Sequence, residues 1–521
     1  MPIEGGNFAA KQNANRMIAD INWPLIRQTC GKLLLLESAF MGAAVAVAAY
    51  YWWKAGETDT LAILIPAIAC MLTGWVLKSS AKNVSTKVSL REGFIVVSGM
   101  WLVFSVFGMM PYLINGTCSQ LCDAFLETMS GFTTTGCTIL ENIDEQPHGI
   151  LFWRSLTQWI GGLGIVVFSL ALLPRIESGN IQMFSAEVTG MSVDKLRPRI
   201  QDTSRYLWII YVGLTTACGL LYFVGGMSIY DAVCHAMTTL ATGGFSTHQS
   251  SIGWFQSTYI EYVCTIFLFI ASVNFSLFYM IKRGRMRQFW QSVEFRWFVY
   301  IVVGFTIYFL FLHYFRIWRG DLTEEKIQAM PHGFADSLRT SLFHVVTVIS
   351  TCGFQAEYYD YQLWGRIFWI PTLFIMACGG CAGSTAGGFK ILRLVIMIKN
   401  LRTVMRQSIN TNVYDTVMLD NRALRQTFIQ RTLAFVLLFF LISFVGIVVM
   451  MPQGIDMGTA IGTTISAIGN CGPGLGQTGP AFTWAGLPTL SKWVLSMIML
   501  IGRLEIFTFI LLFTRVFWLK R

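Results

Sequence analysis

Residues 121–140 have the sequence LCDAFLETMSGFTTTGCTIL, a short apolar run that leads into a segment of Thr and Gly. The same plan occurs three more times in the chain. The copies are YDAVCHAMTTLATGGFST at 230–247, RTSLFHVVTVISTCGFQ at 339–355 and DMGTAIGTTISAIGNCGPGLG at 456–476. A unit that recurs along a chain indicates an architecture built from one repeated structural element.

The four copies align on a Gly that ends a three-residue segment. These segments are Thr134-Thr135-Gly136, Thr242-Gly243-Gly244, Thr351-Cys352-Gly353 and Asn470-Cys471-Gly472. Each copy is too short to span a bilayer, which takes ~20 apolar residues. Each also lies between two runs that are long enough to span. The sequence therefore predicts four units, each made of a span, a re-entrant helix, a Gly-containing loop and a second span.

The repeated loops have a composition that suits cation selection. Non-helical backbone at membrane depth is stable only where it is buried in protein or lines a water-filled path. Four such loops around one axis present rings of backbone carbonyls, which can replace the water shell of a K⁺ ion. Gly is suited to them because such rings require backbone angles that side chains resist. Ordinary Thr-Gly turns explain one copy but not four, so we predict a K⁺ selectivity filter.

Composition indicates the class of protein. The chain has 521 residues, of which 54% are hydrophobic and 13% charged, and its mean hydropathy is +0.56. These values are typical of a membrane protein with many spans. The net charge of +10 fits either nucleic-acid binding or the Lys/Arg excess of cytoplasmic loops. We expect the second, with no nucleic-acid partner, because little of the chain is polar.

We predict an all-α polytopic membrane protein in which the four repeats surround one pore with pseudo-fourfold symmetry. An additional helical hairpin precedes them, which gives ten spanning helices and four re-entrant ones. The predicted segments are a cytoplasmic N-terminal segment at 1–32, the hairpin at 33–78, repeat 1 at 91–174, repeat 2 at 203–282, repeat 3 at 296–399, a cytoplasmic loop at 400–427 and repeat 4 at 428–521.

Charge distribution predicts the orientation in the membrane. The loops 78–91, 282–296 and 399–427 are rich in Lys and Arg, which places them on the cytoplasmic side by the positive-inside rule. Residues 115–149 contain acidic residues but no Lys or Arg. The Gly loops are therefore expected to enter from outside, with both termini cytoplasmic. Acidic residues at the outer mouth would raise the local cation concentration.

The apolar run 366–398 is too long for one straight span. Its middle, ACGGCAGSTAGG at 377–388, contains five Gly residues, each of which costs a helix ~1 kcal/mol relative to Ala. We predict a broken helix whose loop obstructs the pore beneath the filter. A small-residue packing face and a phosphate-binding loop are the alternatives, and the second lacks the required spacing and strand. The predicted gate residues in this stretch are Gly379, Gly380, Gly383, Ser384, Gly387 and Gly388.

Charged and titratable residues inside the apolar runs need an explanation, since they are costly there and usually paired or functional. We predict that Arg503, in the last span, belongs to the gate as a positive barrier that donates hydrogen bonds to the 377–388 loop. A structural pair with a neighbouring acid is the alternative. For Glu127, His235 and His344 we expect structural hydrogen bonds rather than ion ligation or proton relay.

Most of the 12 Cys residues lie in apolar runs, where Cys behaves as a small hydrophobe. Cys118 and Cys122 lie in a predicted outer loop and could pair if that side is oxidising. The six His residues show no metal-binding spacing. The sequence contains no intramembrane nucleophile with a base and no cofactor motif. We therefore predict no enzymatic activity, no cofactor, and K⁺ as the only metal ion, transported as substrate.

Together these motifs resemble the TrkH family, the potassium-translocating subunits of the bacterial Trk system within the Trk/Ktr/HKT superfamily. The resemblance covers nearly the whole chain from about residue 33. It is carried by TTTGCT, ATGGFST, STCGFQ and GNCGPGLG at the four loops, WRSLTQWIGGLGIVVF at 153–168, GGCAGSTAGGFKILR at 379–393 and GRLEIFT at 502–508.

The resemblance implies a bacterial inner-membrane protein that takes up K⁺ as a homodimer, each chain with its own pore. It also implies a cytosolic nucleotide-binding regulatory subunit of the TrkA type. The filter Gly residues would be Gly136, Gly244, Gly353 and Gly472, and Gly at all four places accompanies K⁺ preference in the family. A proton- or sodium-coupled symporter, a membrane enzyme and a purely structural subunit remain as rivals. Flux through the purified protein would separate them.

Overall fold

The computed structural model describes residues 21–81, 90–164, 200–282, 284–315, 331, 333–356, 366–410, 416–420 and 422–519. In this part of the chain the structure is almost entirely helical, with one two-stranded antiparallel ribbon. Six of the described helices are long and apolar enough to cross a membrane, or eight if each of two bent helix pairs is one span. The all-α class and the membrane-protein class are therefore confirmed.

The N-terminal hairpin consists of α1 (Trp23–Ala55) and α2 (Thr60–Ser79). The two helices cross closely, because a Cβ atom added at Gly31 would lie 2.6 Å from the carbonyl oxygen of Gly74. Small residues at such crossings let helix backbones approach. Helix α1 begins at Trp23, where the Asn22 side chain caps it, ten residues before the predicted start of the hairpin at residue 33. The sequence suggested the later boundary because residues 23–32 are polar and mixed.

The four predicted units each contain several helices. Unit 1 has α3 (Leu90–Gly108), α4 (Met110–Ile114), α5 (Leu121–Phe132), a 3₁₀ helix (Ile143–Glu145), α6 (His148–Trp159) and a π-helical turn (Ile160–Gly164). Unit 2 has α7 (Ile200–Val224), α8 (Ile229–Leu240), a 3₁₀ helix (Ser251–Phe255), α9 (Thr258–Ala271) and α10 (Phe275–Lys282).

Units 3 and 4 follow the same order. The short helix α11 (Met286–Gln291) precedes unit 3. Unit 3 has α12 (Val293–Phe315), α13 (Gly333–Ile349), a 3₁₀ helix (Arg366–Phe368), α14 (Trp369–Cys378) and α15 (Ile391–Ile409). The ribbon β1 (Met418–Leu419) and β2 (Arg422–Ala423) then leads to unit 4. Unit 4 has α16 (Gln426–Met450), a 3₁₀ helix (Met451–Gln453), α17 (Met457–Gly469), a 3₁₀ helix (Gly476–Thr478), α18 (Thr489–Arg503), α19 (Phe507–Ile510), a 3₁₀ helix (Leu511–Phe513) and α20 (Arg515–Trp518).

Helices α5, α8, α13 and α17 lead directly into the Gly-containing segments, and we call them the loop helices. Two of them begin with a side-chain cap: Ser228 accepts a hydrogen bond from the backbone N–H of Asp231, and Asp456 accepts one from that of Thr459. Such caps satisfy N–H groups that a helix start leaves without an intrahelical partner. Most residues of the loop helices are buried, so these helices lie inside the protein.

The helices that follow the Gly-containing segments are interrupted more often than expected. The predicted span near 259–281 is two helices, α9 and α10, bent by 90°. The predicted span near 491–518 is bent by 108° between α18 and the short helices after it. The run 366–398 is broken between α14 and α15, as predicted. The second span of unit 1 turns π-helical at Ile160–Gly164, and its remainder lies outside the described residues.

Two clusters of buried apolar side chains form the core. One consists mainly of residues from the N-terminal hairpin and units 1 and 4, and the other mainly of residues from units 2 and 3. The only ribbon in the described part of the chain lies beside the second cluster, where the Asp420 side chain accepts a hydrogen bond from the backbone N–H of Val293 at 2.9 Å. This contact fixes the start of α12 through a segment predicted to be cytoplasmic.

Candidate functional site

The four Gly-containing segments share one unusual backbone conformation. We call residues 134–136, 242–244, 351–353 and 470–472 Gly loops 1 to 4. In each loop the first and third residues have positive φ angles, a region that L-residues with bulky side chains rarely occupy. The angles are 54° at Thr134, 53° at Thr242, 55° at Thr351 and 53° at Asn470, with 84° at Gly136, 81° at Gly244, 79° at Gly353 and 96° at Gly472.

The middle residue of each Gly loop donates its backbone N–H back to the preceding loop helix. The acceptor is in every case the carbonyl five residues earlier. The bonds run from Thr135 to Ser130 at 2.8 Å, Gly243 to Thr238 at 2.9 Å, Cys352 to Thr347 at 3.0 Å and Cys471 to Ser466 at 3.0 Å. Because these N–H groups point toward their own helices, the loops are held in one conformation.

The Gly loops contact one another in a closed circuit. A Cβ atom added at the Gly of one loop would collide with the middle carbonyl oxygen of the next loop. The distances would be 1.9 Å from Gly136 to Gly243 O, 1.9 Å from Gly244 to Cys352 O, 2.4 Å from Gly353 to Cys471 O and 2.7 Å from Gly472 to Thr135 O. The middle carbonyl of every loop thus lies beside the Gly of its neighbour, and Gly is required at all four places.

A cavity of about 70 Å³ opens onto this circuit. All four Gly residues line it, together with Arg154, His248 and Trp484 from the segments around the loops. The four segments recognised in the sequence are therefore brought together at one place, with a water-sized approach to them.

A buried ion pair supports Gly loop 1. Arg154 of α6 donates to Glu127 of α5 at 2.6 Å, and both side chains are almost completely buried. Glu127 also accepts hydrogen bonds from the hydroxyl of Thr138 and the backbone N–H of Ile139, directly after the loop. Arg154 reaches unit 2 by donating to the carbonyl of Ser246 at 2.9 Å. The expected structural role of Glu127 is confirmed.

We expect Glu127→Ala to destabilise the protein by ~3–5 kcal/mol, because it leaves Arg154 as a buried, uncompensated charge. Thermal unfolding in detergent would show this as a large fall in the midpoint. Glu141→Ala removes an exposed carboxylate from the segment after Gly loop 1 and should unfold like the wild type. Equal midpoints for the two variants would contradict the structural role given to the pair.

Gln158 of α6 makes hydrogen bonds to the backbone of Gly loop 2 and the residue after it. Its amide nitrogen donates to the carbonyl of Gly243 at 2.8 Å, and its amide oxygen accepts from the backbone N–H of Phe245 at 3.1 Å. A carbonyl oxygen has two lone pairs, so the Gly243 carbonyl keeps a second acceptor site. In loop 4, the Asn470 amide donates to the hydroxyl of Thr135 in loop 1 at 3.0 Å. Side chains thus fix the loops both to the scaffold and to each other.

His248 lies in the segment that follows Gly loop 2, at the cavity. Its ring stacks on Trp254 with centroids 4.4 Å apart, and its Nδ1 lies 2.7 Å from a carboxylate oxygen of Asp144. Its Nε2 lies 3.6 Å from Asp231. Burial lowers the pKa of His248, but its interactions with the carboxylates of Asp231 and Asp144 outweigh burial, so its pKa lies above the ordinary value. His248 therefore links the segments that follow Gly loops 1 and 2.

This raised pKa predicts a pH-dependent contribution to stability. The contribution of His248 is fully present below its unfolded pKa of ~6.5 and is lost as pH rises through the higher folded pKa. We expect His248→Gln to lower the thermal midpoint clearly at about pH 5.5 and only slightly at about pH 8.5. A deficit that grows with rising pH would contradict the assignment.

Residues 379–390 separate α14 from α15, and we call them the 379–390 break. The break makes hydrogen bonds to several neighbouring segments. Cys381 donates its backbone N–H to Ser272 at 2.9 Å, and Phe275 donates its own to Gly383 at 3.0 Å, so the breaks of units 2 and 3 bind each other. Glu294, at the start of α12, accepts from the backbone N–H of Ala382 at 2.5 Å.

Arg503 ends α18 and binds three carbonyl oxygens. It donates to Thr385 in the 379–390 break at 2.9 Å, and to Gly161 and Gly162 in the π-helical turn of unit 1, each at 2.7 Å. The expected hydrogen bond to the loop is therefore present. Glu505, two residues later, pairs with Arg393 of α15. These contacts join units 1, 3 and 4 to one another.

Several sequence-level expectations concern residues outside the Gly loops. His235 hydrogen-bonds Ser246 at 2.9 Å and His344 hydrogen-bonds Thr372 at 3.0 Å, so the hydrogen bonds expected for them are present. Cys118 and Cys122 are free thiols. Sequence analysis did not identify Arg154 or Gln158. The available signal was two polar residues four positions apart within an apolar run, which puts them on one helix face.

Comparison with known proteins places these features in a class. The sequence profile of the TrkH family, described as a cation transport protein, matches residues 60–518. The Trk system potassium uptake protein TrkH of Escherichia coli K12 is 35% identical over 499 residues, covering 95% of this chain and 99% of that protein. The Salmonella typhimurium protein of the same name is 34% identical over 499 residues, with 95% and 99% coverage.

A solved structure agrees with the same assignment. The crystal structure of the potassium transporter TrkH from Vibrio parahaemolyticus superposes with a TM-score of 0.82 at 29% identity, covering 96% of this chain and 100% of that one. The protein is thus a membrane-embedded transporter subunit and not an enzyme. The chain belongs to the TrkH family.

Proposed function

We propose that the protein takes up K⁺ across a bacterial inner membrane through the four Gly loops. The observation that carries this proposal is the closed circuit in which each middle carbonyl lies beside the Gly of the neighbouring loop. Carbonyl oxygens held in such a ring can replace the water shell of K⁺. The relatives that match most of the chain are named as potassium uptake proteins of Trk systems.

In this proposal the backbone of the Gly loops forms the selectivity filter. The Gly residues allow the loops to approach one another, and the carbonyls before them bind the ion. The proposed ion-binding carbonyls belong to Thr134, Thr135, Thr242, Gly243, Thr351, Cys352, Asn470 and Cys471. The same circuit supports the proposed pseudo-fourfold pore, since each unit supplies one loop with similar backbone angles.

The 379–390 break is the proposed gate. Its Gly residues permit a non-helical backbone, and Arg503 binds its Thr385 carbonyl while adding a positive charge to the ion path. A break that is hydrogen-bonded on every side can hold one closed position and release it as a unit. The proposed gate residues remain Gly379, Gly380, Gly383, Ser384, Gly387, Gly388 and Arg503.

The driving force is the electrochemical gradient of K⁺, because a membrane potential contributes ~2.3 kcal/mol per charge per 100 mV. We place both termini in the cytoplasm on the strength of the basic loops 78–91, 282–296 and 399–427. The protein acts as a homodimer with a cytosolic nucleotide-binding partner of the TrkA type that controls the gate. The naming of the relatives as parts of a Trk system supports a multi-subunit assembly.

Cation flux into liposomes that contain only the purified protein tests this function. We expect passive K⁺ flux that exceeds Na⁺ flux and follows the imposed K⁺ gradient or membrane potential. Flux that requires an imposed proton or sodium gradient would favour the coupled symporter instead. Equal permeability to both cations would contradict the filter.

A further inference from the structure

The 379–390 break is hydrogen-bonded directly to the Gly loops. The backbone N–H of Gly387 donates to the hydroxyl oxygen of Thr351 at 2.6 Å. The backbone N–H of Gly388 donates at 2.9 Å to the carbonyl of Gly469, the residue before Gly loop 4. Thr351 is the first residue of Gly loop 3 and is 1% exposed. Both contacts are buried, where a donor without a partner is costly.

The contact at Thr351 is specific to one of four equivalent positions. Thr242, the counterpart in loop 2, donates its hydroxyl to the adjacent carbonyl of Ala241 at 2.6 Å. Asn470, the counterpart in loop 4, donates its amide to Thr135 and to the carbonyl of Met499. Within the described part of the chain, no hydrogen bond joins the Thr134 side chain to the break. Among the contacts of the described residues, only loop 3 therefore accepts a hydrogen bond from the break through a side chain.

The 379–390 break packs tightly against Gly loop 4. A Cβ atom added at Gly387 would lie 2.1 Å from the carbonyl oxygen of Gly469 and 3.1 Å from Cβ of Asn470. The backbone of the break thus packs against the start of loop 4 while bonding to the start of loop 3. Movement of the break must break the Gly387–Thr351 and Gly388–Gly469 bonds together.

We propose that the Thr351 hydroxyl is a positioning group that couples cation occupancy of the Gly loops to the position of the 379–390 break. The inference rests on the proposed function of the loops as filter and the break as gate. Thr351 presents its hydroxyl to Gly387 only while its backbone keeps a φ of 55°. A bound cation stabilises that loop conformation and therefore the closed break. Coupling between two sites is reciprocal, so a released break also weakens cation binding in the loops.

Replacing Thr351 by Val tests the contact, because Val has the shape of Thr but cannot accept a hydrogen bond. In liposomes we expect basal K⁺ flux of Thr351→Val to rise about five- to tenfold, since the closed break then buries an unpaired N–H. The K⁺ concentration for half-maximal flux should rise as well, which a purely structural role would not require. Thr351→Ser keeps the acceptor, so its flux should rise much less than that of Thr351→Val.

Thr216→Val provides a control outside the Gly loops and the 379–390 break. Thr216 is exposed on α7, where its hydroxyl donates to the carbonyl of Val212 at 2.9 Å. We therefore expect the flux of the wild type. An increase equal to that of Thr351→Val would show that loss of a Thr hydroxyl far from the break also raises flux and would overturn the coupling.

Hydrogen exchange on the wild-type protein provides a second test that needs no variant. The amide of Gly387 should exchange more slowly in K⁺ than in choline, because an occupied filter holds the Thr351 acceptor in place. Two results together would overturn the coupling: exchange that does not depend on K⁺, and equal flux through Thr351→Val and Thr351→Ser. Passive, K⁺-selective flux through the wild-type protein would then still support the proposed function. Wild-type protein without passive K⁺ flux would remove the proposed function and this inference with it.

Discussion

We expect Gly136→Ser to lower K⁺ flux through the purified protein by about tenfold or more and to remove its preference for K⁺ over Na⁺. Gly136 has a φ of 84°, and its added Cβ atom would lie 1.9 Å from the carbonyl oxygen of Gly243. Backbone strain of this kind costs ~1–3 kcal/mol per residue, and the clash displaces a proposed ion-binding carbonyl. Flux of both cations into liposomes measures the effect.

Gly304→Ser is the matched control for this experiment. Gly304 lies within α12, has no positive φ, and has no atom within 4 Å of an added Cβ. Its variant should keep both the rate and the selectivity of the wild type. If Gly136→Ser also kept them, the circuit of Gly loops would not be the ion path.

Arg503→Gln should increase basal K⁺ flux by about tenfold. Arg503 donates hydrogen bonds to Thr385 in the 379–390 break and to Gly161 and Gly162 of unit 1. Hydrogen bonds from a charged group contribute ~1.5–3 kcal/mol each, so their loss destabilises the closed position. The substitution also removes a positive charge from the proposed ion path. Flux into liposomes without any partner protein measures the increase.

Arg503→Lys separates the two contributions. Lys keeps the charge but lacks the planar fork that reaches three carbonyls, so its flux should fall between wild type and Arg503→Gln. Arg431→Gln removes an exposed charge from α16 and should have no effect. A decrease in flux with Arg503→Gln would show that Arg503 assists permeation and would contradict its role in the gate.

The position of the Gly loops was predictable because the repeat places a Gly at the same point of four copies. The positive φ of the first loop residue was not, since Thr134, Thr242 and Thr351 carry no signal for it in their side chains. That conformation is imposed by tertiary contacts, chiefly the N–H bonds back to the loop helices and the crowding between neighbouring loops.

The helix breaks show the same limit. Five Gly residues predicted the break in unit 3, whereas the break between α9 and α10 contains no Gly. It is stabilised by hydrogen bonds between Ser272 and Cys381 and between Phe275 and Gly383, which join segments more than a hundred residues apart. A contact between such distant segments leaves no recognisable pattern in the local sequence. The support of the loops by Arg154 and Gln158 was missed for a related reason, because their partners lie in another unit.

Crystals of the protein grown with Rb⁺, which substitutes for K⁺ and scatters anomalously, test the central claim most directly. The account predicts an anomalous difference peak inside the circuit of Gly loops, within bonding distance of the carbonyl oxygens of Thr135, Gly243, Cys352 and Cys471. The peak should disappear in Gly136→Ser. Anomalous density only at sites away from the four loops would contradict the proposal that these loops bind the transported ion.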